Sequence, residues 1–356
     1  MTRSSMRMRG FWSWLVVLGL VACGKVEPKS DSANPPPGDG DPPGPAPTVT
    51  SFAPDWGSSA GGTQVTIKGS GFSAAGLTVT FGGVAAPNPN VIDDATITIA
   101  APPNQIAPLK MHVTTANGTA DSATDFRYLA PLYAADGAGG TLGRLYTVDP
   151  ATAQSTPVGT IGFPLTGLAI SPDGRLFGAS NTAGGTMVQS LITIDPYTGA
   201  GTLVGQLKDA AGAVIGCSDI TFEATGILRG WHTKQLATID TTNGRVTLAP
   251  ATLGGLSGTS GNGLADLNGQ LFVMPNKGNG GLFKVNSANG AATLGVNTNG
   301  AVQAIGAMTT VGPTLFASLT AAGTLTTQLA TVNPQTGAVT PKGTLPAKID
   351  ALAGIP

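Results

Sequence analysis

From residue 131 onward the chain repeats one short apolar run. Its copies read Leu145-Tyr-Thr-Val-Asp149, Leu191-Ile-Thr-Ile-Asp195, Leu236-Ala-Thr-Ile-Asp240, Leu282-Phe-Lys-Val-Asn286 and Leu329-Ala-Thr-Val-Asn333, and their last residues lie 46, 45, 46 and 47 positions apart. Each copy is apolar on both faces and rich in β-branched residues, as a strand covered on both sides must be. Each ends in a polar corner: Asp149 to Ala153, Asp195 to Gly199, Asp240 to Gly244, Asn286 to Gly290 and Asn333 to Gly337. There the Asp or Asn side chain accepts from a backbone N–H two residues on, and the closing Gly takes the left-handed conformation. Ala153 breaks the Gly rule, and a strain of about 1 kcal/mol predicts a looser corner in that copy.

Around each copy the pattern supplies three further strands. A second strand led by Leu lies upstream, at Leu132-Tyr133, Leu176-Phe177, Leu228-Arg229, Leu271-Phe272 and Leu315-Phe316. Small-residue first strands precede four of these, at Thr166 to Ser171, Ser218 to Phe222, Gly263 to Ala265 and Gln303 to Gly306, and outer strands such as Thr202 to Gly205 and Val339 to Gly343 follow the turns. Four strands in a period of this length make a propeller blade. The region opens at Leu132 on a second strand and stops at Asp350 to Gly354, which reads as a first strand. The two ends complete one another, so five blades are predicted, with the C-terminal strand closing the ring beside residues 131 to 161 and removing open sheet edges.

Blade geometry also sorts the connections. Turns after the first and third strands fall on one face and are short, as in Ser171-Pro-Asp-Gly174. Connections after the second and fourth strands fall on the other face and are long and variable: 136 to 144, 180 to 190, 207 to 217, 251 to 261, 274 to 280 and 318 to 327. Variable loops on a rigid scaffold are where binding concentrates, so the long-loop face is the expected binding face.

Three segments precede the propeller. Residues 48 to 128 alternate with period two, as in Val65-Thr-Ile67, Leu77-Thr-Val-Thr-Phe81, Ile97-Thr-Ile99 and Met111-His-Val113, which predicts a β-sandwich. Residues 24 to 47 are rich in Pro, Gly, Asp and Ser and bury no core; they read as an extended stalk, and Asp39 and Asp41 as solvated rather than calcium ligands. Residues 1 to 22 carry Arg3, Arg7 and Arg9 ahead of an apolar run from Phe11 to Ala22, too short for a permanent span and fit for a signal-peptide core.

Three resemblances sharpen this reading. Val49-Thr-Ser-Phe-Ala-Pro54, Gly61-Gly-Thr-Gln-Val-Thr-Ile-Lys-Gly-Ser-Gly-Phe72, Val79-Thr-Phe-Gly-Gly83 and Phe126-Arg-Tyr128 resemble the IPT/TIG family of immunoglobulin-like domains. That resemblance implies a spacer, adhesion or binding module over residues 48 to 129, without chemistry; Trp56, where the family often has a small turn residue, is expected to pack at the sandwich end. The repeats of residues 131 to 356 resemble NHL-type and related secreted bacterial propellers in architecture and turn motif. Leu20-Val21-Ala22-Cys23 resembles the bacterial lipobox. This implies that Cys23 becomes the acylated N-terminus, that the acyl chains (palmitate among them) anchor the protein, and that Gly24 in place of Asp directs it to the outer membrane. An ordinary cleaved signal with a chance Cys is the alternative.

Composition narrows the function classes. With 52 Gly, 27 Pro and only 10% charged residues, the chain reads as a turn-rich β protein; with the repeats and the resemblance above, the expected fold is all-β, an immunoglobulin-like sandwich followed by a five-bladed propeller of four-stranded antiparallel blades. A formal charge of −1 offers no basic field for nucleic acid. With Cys23 in the leader, Cys217 has no disulfide partner and reads as a buried inert thiol. His112 alternates out of the apolar face of its strand. Trp231 and His232 stand where the other copies have small residues, which marks them as irregular packing, a rim contact or part of a ligand site. Asp219, Asp350, Thr166, Asn262 and Gln303 are expected near the channel mouth, to hold water or to bind a cation or polar ligand. No catalytic residue, metal or cofactor is assigned. The favoured function is a lipid-anchored envelope protein that binds an envelope protein or glycan, or acts as a scaffold. A lyase or lactonase-like propeller enzyme with a channel site, and a purely structural surface protein, are the alternatives.

Overall fold

The computed structural model describes residues 44–137, 142–180, 189–252, 263–275, 281–298, 304–320, 326–346 and 349–356. Every regular element among them is a β-strand. The sandwich comes first. One sheet runs Thr48–Ala53, Gln64–Ser70, Thr96–Ala100, Asn90–Asp93, a second Gly118–Asp121, Met111–Thr115, Thr78–Phe81, Val84–Ala85, and a third, smaller one Trp56–Ser58, Phe126–Leu129, Pro108–Leu109. Alternating residues meet between the sheets, where Ile67, Ile97, Phe81, Met111 and Phe126 are fully buried. Phe126 stands edge-on to Phe81 at 5.1 Å and to Tyr128 at 4.8 Å, the offset geometry that aromatic quadrupoles favour. His112 lies half-exposed on its strand and pairs with Asp121 directly opposite.

Five four-stranded antiparallel sheets follow, and the first is closed by the end of the chain. Blade 1 consists of Ala351–Gly354, Leu132–Ala135, Arg144–Val148 and Ser155–Thr160, from axis to rim, with Leu132 opposite Gly354 and Ala135 opposite Ala351. Blade 2 runs Leu165–Ile170, Leu176–Ser180, Ser190–Ile194, Gly201–Gln206; blade 3 runs Ile220–Phe222, Leu228–His232, Gln235–Ile239, Val246–Thr252. Blade 4 runs Gly263–Leu267, Gln270–Met274, Gly281–Val285, Ala292–Asn297; blade 5 runs Ala304–Val311, Thr314–Thr320, Thr327–Val332, Val339–Thr344. The inner strands neighbour one another in a ring, from 351–354 through blades 2, 3, 4 and 5 and back. The five blades and the closing C-terminal strand expected from the repeat phase are both present.

The repeat includes a feature that the apolar pattern did not expose. Where the third strand meets the outer strand, the register slips in every blade: at Leu145/Tyr146, Leu191/Ile192, Gln235/Ala237, Leu282/Phe283 and Leu329/Ala330. Such a bulge bends the outer strand and increases its twist. The bent strand meets the corner of the next blade: Gly159 packs on Thr198 and Gly199, Gly205 on Asn243 and Gly244, and Gly343 on Thr152 and Ala153. These approaches leave no room for a side chain, since a Cβ on Gly205 would lie 2.0 Å from the Asn243 carbonyl oxygen.

Ala153 corrects one expectation. Its corner is not looser: Ala153 adopts φ 62° and its N–H donates to Asp149 O at 2.8 Å, as Gly199 N–H does to Asp195 O. The left-handed strain is offset because Ala153 is buried and its methyl group fills the contact with Gly343.

The interlock is testable by urea unfolding. Gly205→Ala is expected to lower stability by roughly 1–3 kcal/mol through overpacking. Gly269→Ala, at φ 81° with open space around it, should cost only about 1 kcal/mol of backbone strain. A smaller loss at 205 than at 269 would contradict the nested-corner account.

Candidate functional site

The inner strands begin on the long-loop side, so the residues ahead of them were the sequence candidates for a ligand site. Asp219, one residue before the inner strand of blade 3, is wholly buried. Its Oδ1 accepts from Ile220 N at 2.9 Å; its Oδ2 accepts from Leu264 N of blade 4 at 2.9 Å and from Met308 N of blade 5 at 3.0 Å. One carboxyl group therefore ties three blades together at the axis. Burial pushes its protonation well above the ordinary carboxylate range, and the three N–H donors pull the other way. The expectation of an open ligand at the channel mouth is corrected for Asp219: it is out of solvent and its lone pairs are engaged.

Thr166 plays a similar part between blades 2 and 3. Its hydroxyl donates to Cys217 O at 2.7 Å. The Cys217 thiol is buried, and burial, then the charge of Asp219, pushes it up to about 12, which leaves the inert thiol the sequence implied. Asp350 is half-buried, and its N–H donates to Ala135 O at 3.1 Å, fastening the closing strand. Among the described residues, a cavity of about 20 Å³ lies between Leu168, Thr221, Phe222 and Thr309, room for about one water.

Of the alternatives for Trp231, packing holds and the ligand site does not. Its indole is buried, 1% exposed, among Leu236, Leu264, Leu271, Val273 and Val285, where it fills the seam between blades 3 and 4. It is packing and does not reach the loop face. His232 lies half-buried beside it with Nδ1 2.6 Å from Gly216 O. A carbonyl only accepts, so Nδ1 carries the proton and the imidazole holds the end of the 207–217 connection in place. Cys23, Asn262 and Gln303 lie outside the described residues.

The two faces differ in what covers them. The sandwich sits against the short-turn face: Trp56 Nε1 donates to Pro172 O at 3.1 Å, and Arg127 donates to Asp173 O at 2.7 Å and Gly174 O at 3.3 Å while also pairing with Asp55. Trp56 is thus corrected from sandwich-end packing to a contact that joins the sandwich to blade 2, with Gly174 against its ring. Sequence reasoning missed Arg127 as well; the signal available was a large cation and an indole in a chain with few of either. On the long-loop side blade 3 joins its second and third strands by Thr233-Lys234 alone, with Thr233 at φ 55°, whereas the other blades place 6 to 9 residues there.

Residues 47–128 match the IPT/TIG domain. No curated protein matches the chain. Among solved structures the chain is similar to a structural genomics protein of unknown function from Bacteroides thetaiotaomicron VPI-5482, at 18% identity and TM-score 0.42 over 85% of this chain and 87% of that one. It is similar to an auxiliary nutrient binding protein from the same strain, at 12% identity and TM-score 0.35 over 85% and 86%, and to another from Bacteroides ovatus ATCC 8483, at 14% and 0.31 over 85% and 71%. The propeller assignment rests on the sheet topology, not on these likenesses.

The Asp219 tie makes a pH-dependent prediction. Asp219→Asn keeps the shape but turns an N–H donor toward a backbone N–H, which should cost roughly 1–3 kcal/mol. Folded Asp219 holds its proton more tightly than the unfolded value of 3.8. Its favourable contribution is therefore full below about pH 4 and declines as pH rises toward the raised value, so the margin of wild type over Asp219→Asn should narrow as pH rises above about 4. A margin that widens instead would mean that the three N–H donors outweigh burial.

Proposed function

We propose that this protein is a lipid-anchored, non-catalytic component of the bacterial cell envelope that binds an envelope protein or glycan through the long-loop face of its propeller. The observation that supports it most is the docking of the sandwich on the opposite face through Trp56 and Arg127. The sandwich covers the short-turn side of the propeller, so the binding surface of this reading falls on the opposite side, where Lys234 lies. The engagement of Asp219 by three N–H donors favours binding over channel chemistry, because the central carboxylate is committed to structure.

In this reading Cys23 carries the acyl chains and residues 24–47 are the tether. More than one acyl chain gives a stable anchor, whereas a single chain binds reversibly. Cys23→Ala is expected to move the protein from the membrane fraction to the soluble fraction and abolish incorporation of labelled palmitate. Retention with undiminished label would overturn the anchor.

The binding face is tested within blade 3. A photo-crosslinking residue at Lys234, on the long-loop side, is expected to give a discrete covalent adduct in intact cells. The same residue at Thr225, in the exposed short turn of that blade, is expected to give none. Adducts at Thr225 and none at Lys234 would place the binding surface on the wrong side for this proposal.

A further inference from the structure

Among the described residues, Glu223, Arg229 and Asp266 form a buried group of ionisable side chains apart from the axis tie of Asp219. On the short-turn side, where blades 2 to 5 meet Trp56, lies a cavity of about 400 Å³. Among its walls are Trp56, Phe222, Glu223, Asp266, Asn268 and Thr310. Asp266, at the end of the inner strand of blade 4, is 9% exposed; its Oδ1 accepts from Gly269 N at 3.0 Å, but its Oδ2 is buried and has no partner. Glu223, after the inner strand of blade 3, is 8% exposed. Its Oε2 accepts from Arg229 Nη2 at 3.3 Å, while its Oε1 lies 3.2 Å from Arg229 Nε without the alignment of a hydrogen bond. Arg229 is also engaged with Thr238.

Arg229 offsets Glu223, which leaves Asp266, with Gly269 N on one oxygen and nothing on the other, as the carboxyl group of this cavity that lacks a counter-charge. A buried carboxyl oxygen without a partner is costly, so its persistence calls for a compensating group. Burial, with Glu223 adding to it, also pushes the Asp266 carboxyl upward, the sign of a charge with too few donors. A hard divalent cation wants six or more oxygens, and no cluster of three or more His, Cys, Asp or Glu suited to a metal occurs among the described residues. An ammonium group is a compact charge with three donors, one of which the unpartnered Asp266 Oδ2 can accept, with Glu223 and Asn268 lining the same cavity. The remaining wall is apolar and aromatic, and Trp56, fixed by its bond to Pro172 O, presents the ring type that cations prefer.

We propose that this cavity binds a small organic monocation, a protonated amine on an apolar body, with Asp266 as its counter-ion and Trp56 as its aromatic wall. The site lies on the opposite side of the propeller from the loop face and stands or falls apart from the envelope-partner reading.

The test uses the full chain and a matched pair of probes, phenethylammonium chloride and phenethyl alcohol, in titration calorimetry and thermal melting at neutral pH. The amine is expected to bind at one site and raise the melting temperature, at least tenfold more tightly than the alcohol. Asp266→Asn is expected to weaken the amine at least tenfold and leave the alcohol unchanged. Should that variant not fold, Asn268→Gly, which suits the φ of 53° at that position, removes one acceptor and is expected to weaken the amine severalfold. Equal binding of amine and alcohol, undiminished amine binding in the variants, or displacement of the amine by one equivalent of calcium chloride would each overturn the proposal.

Discussion

A ring of sheets is stable only if its last seam closes. Here that seam is the pairing of Ala351–Gly354 with Leu132–Ala135 across more than 200 residues of chain. Without it, blade 1 would lack its inner strand and two neighbouring inner strands would face an open edge, the arrangement that invites aggregation. The closure carries a cost in loop entropy, but that cost grows only slowly with loop length, and the buried residues Leu132, Ala134, Leu352 and Ala353 meet it with apolar contact on both sides of the strand.

Two further devices keep the closed ring in register. At the axis, Asp219 and Thr166 make hydrogen bonds that cross from blade to blade. At the rim, each bulged outer strand receives the corner of the next blade. The sandwich occupies the side of the short turns, and the second strand of each blade ends on the other side. In a low-dielectric interior, polar groups are tolerated where they are satisfied, and Asp219 meets that condition while Asp266 does not. This difference separates a structural carboxyl from a candidate binding group more sharply than position along the axis does.

Most of the architecture was legible in the sequence because it follows from local rules repeated five times. Apolar strands, Asx corners and Gly closures recur with the blade, and the phase of Leu132 and Asp350 disclosed the join. The candidate site was less legible for a physical reason. Whether Asp219 is a ligand or a tie depends on the backbone N–H groups of Leu264 and Met308, dozens of residues away, and backbone donors leave no mark on residue type. Trp231 stood out by size, but size alone does not distinguish a face residue from the filler of a seam between blades. Trp56 and Arg127 reached across a domain boundary that no periodicity describes, and Glu223 and Asp266, one on each of two blades, become neighbours of one cavity only when the ring closes.

Closure is therefore the claim on which the rest depends, and native-state amide exchange measures it directly. The account predicts that Tyr133, Ala135 and Ala353 exchange only through an opening as costly as that of the inner-strand amides of blades 3 and 4, since one ring must open as a unit. Exchange of the 351–354 amides at a far lower free energy, with the other inner strands still protected, would show a frayed end laid on blade 1 and would contradict the closed ring.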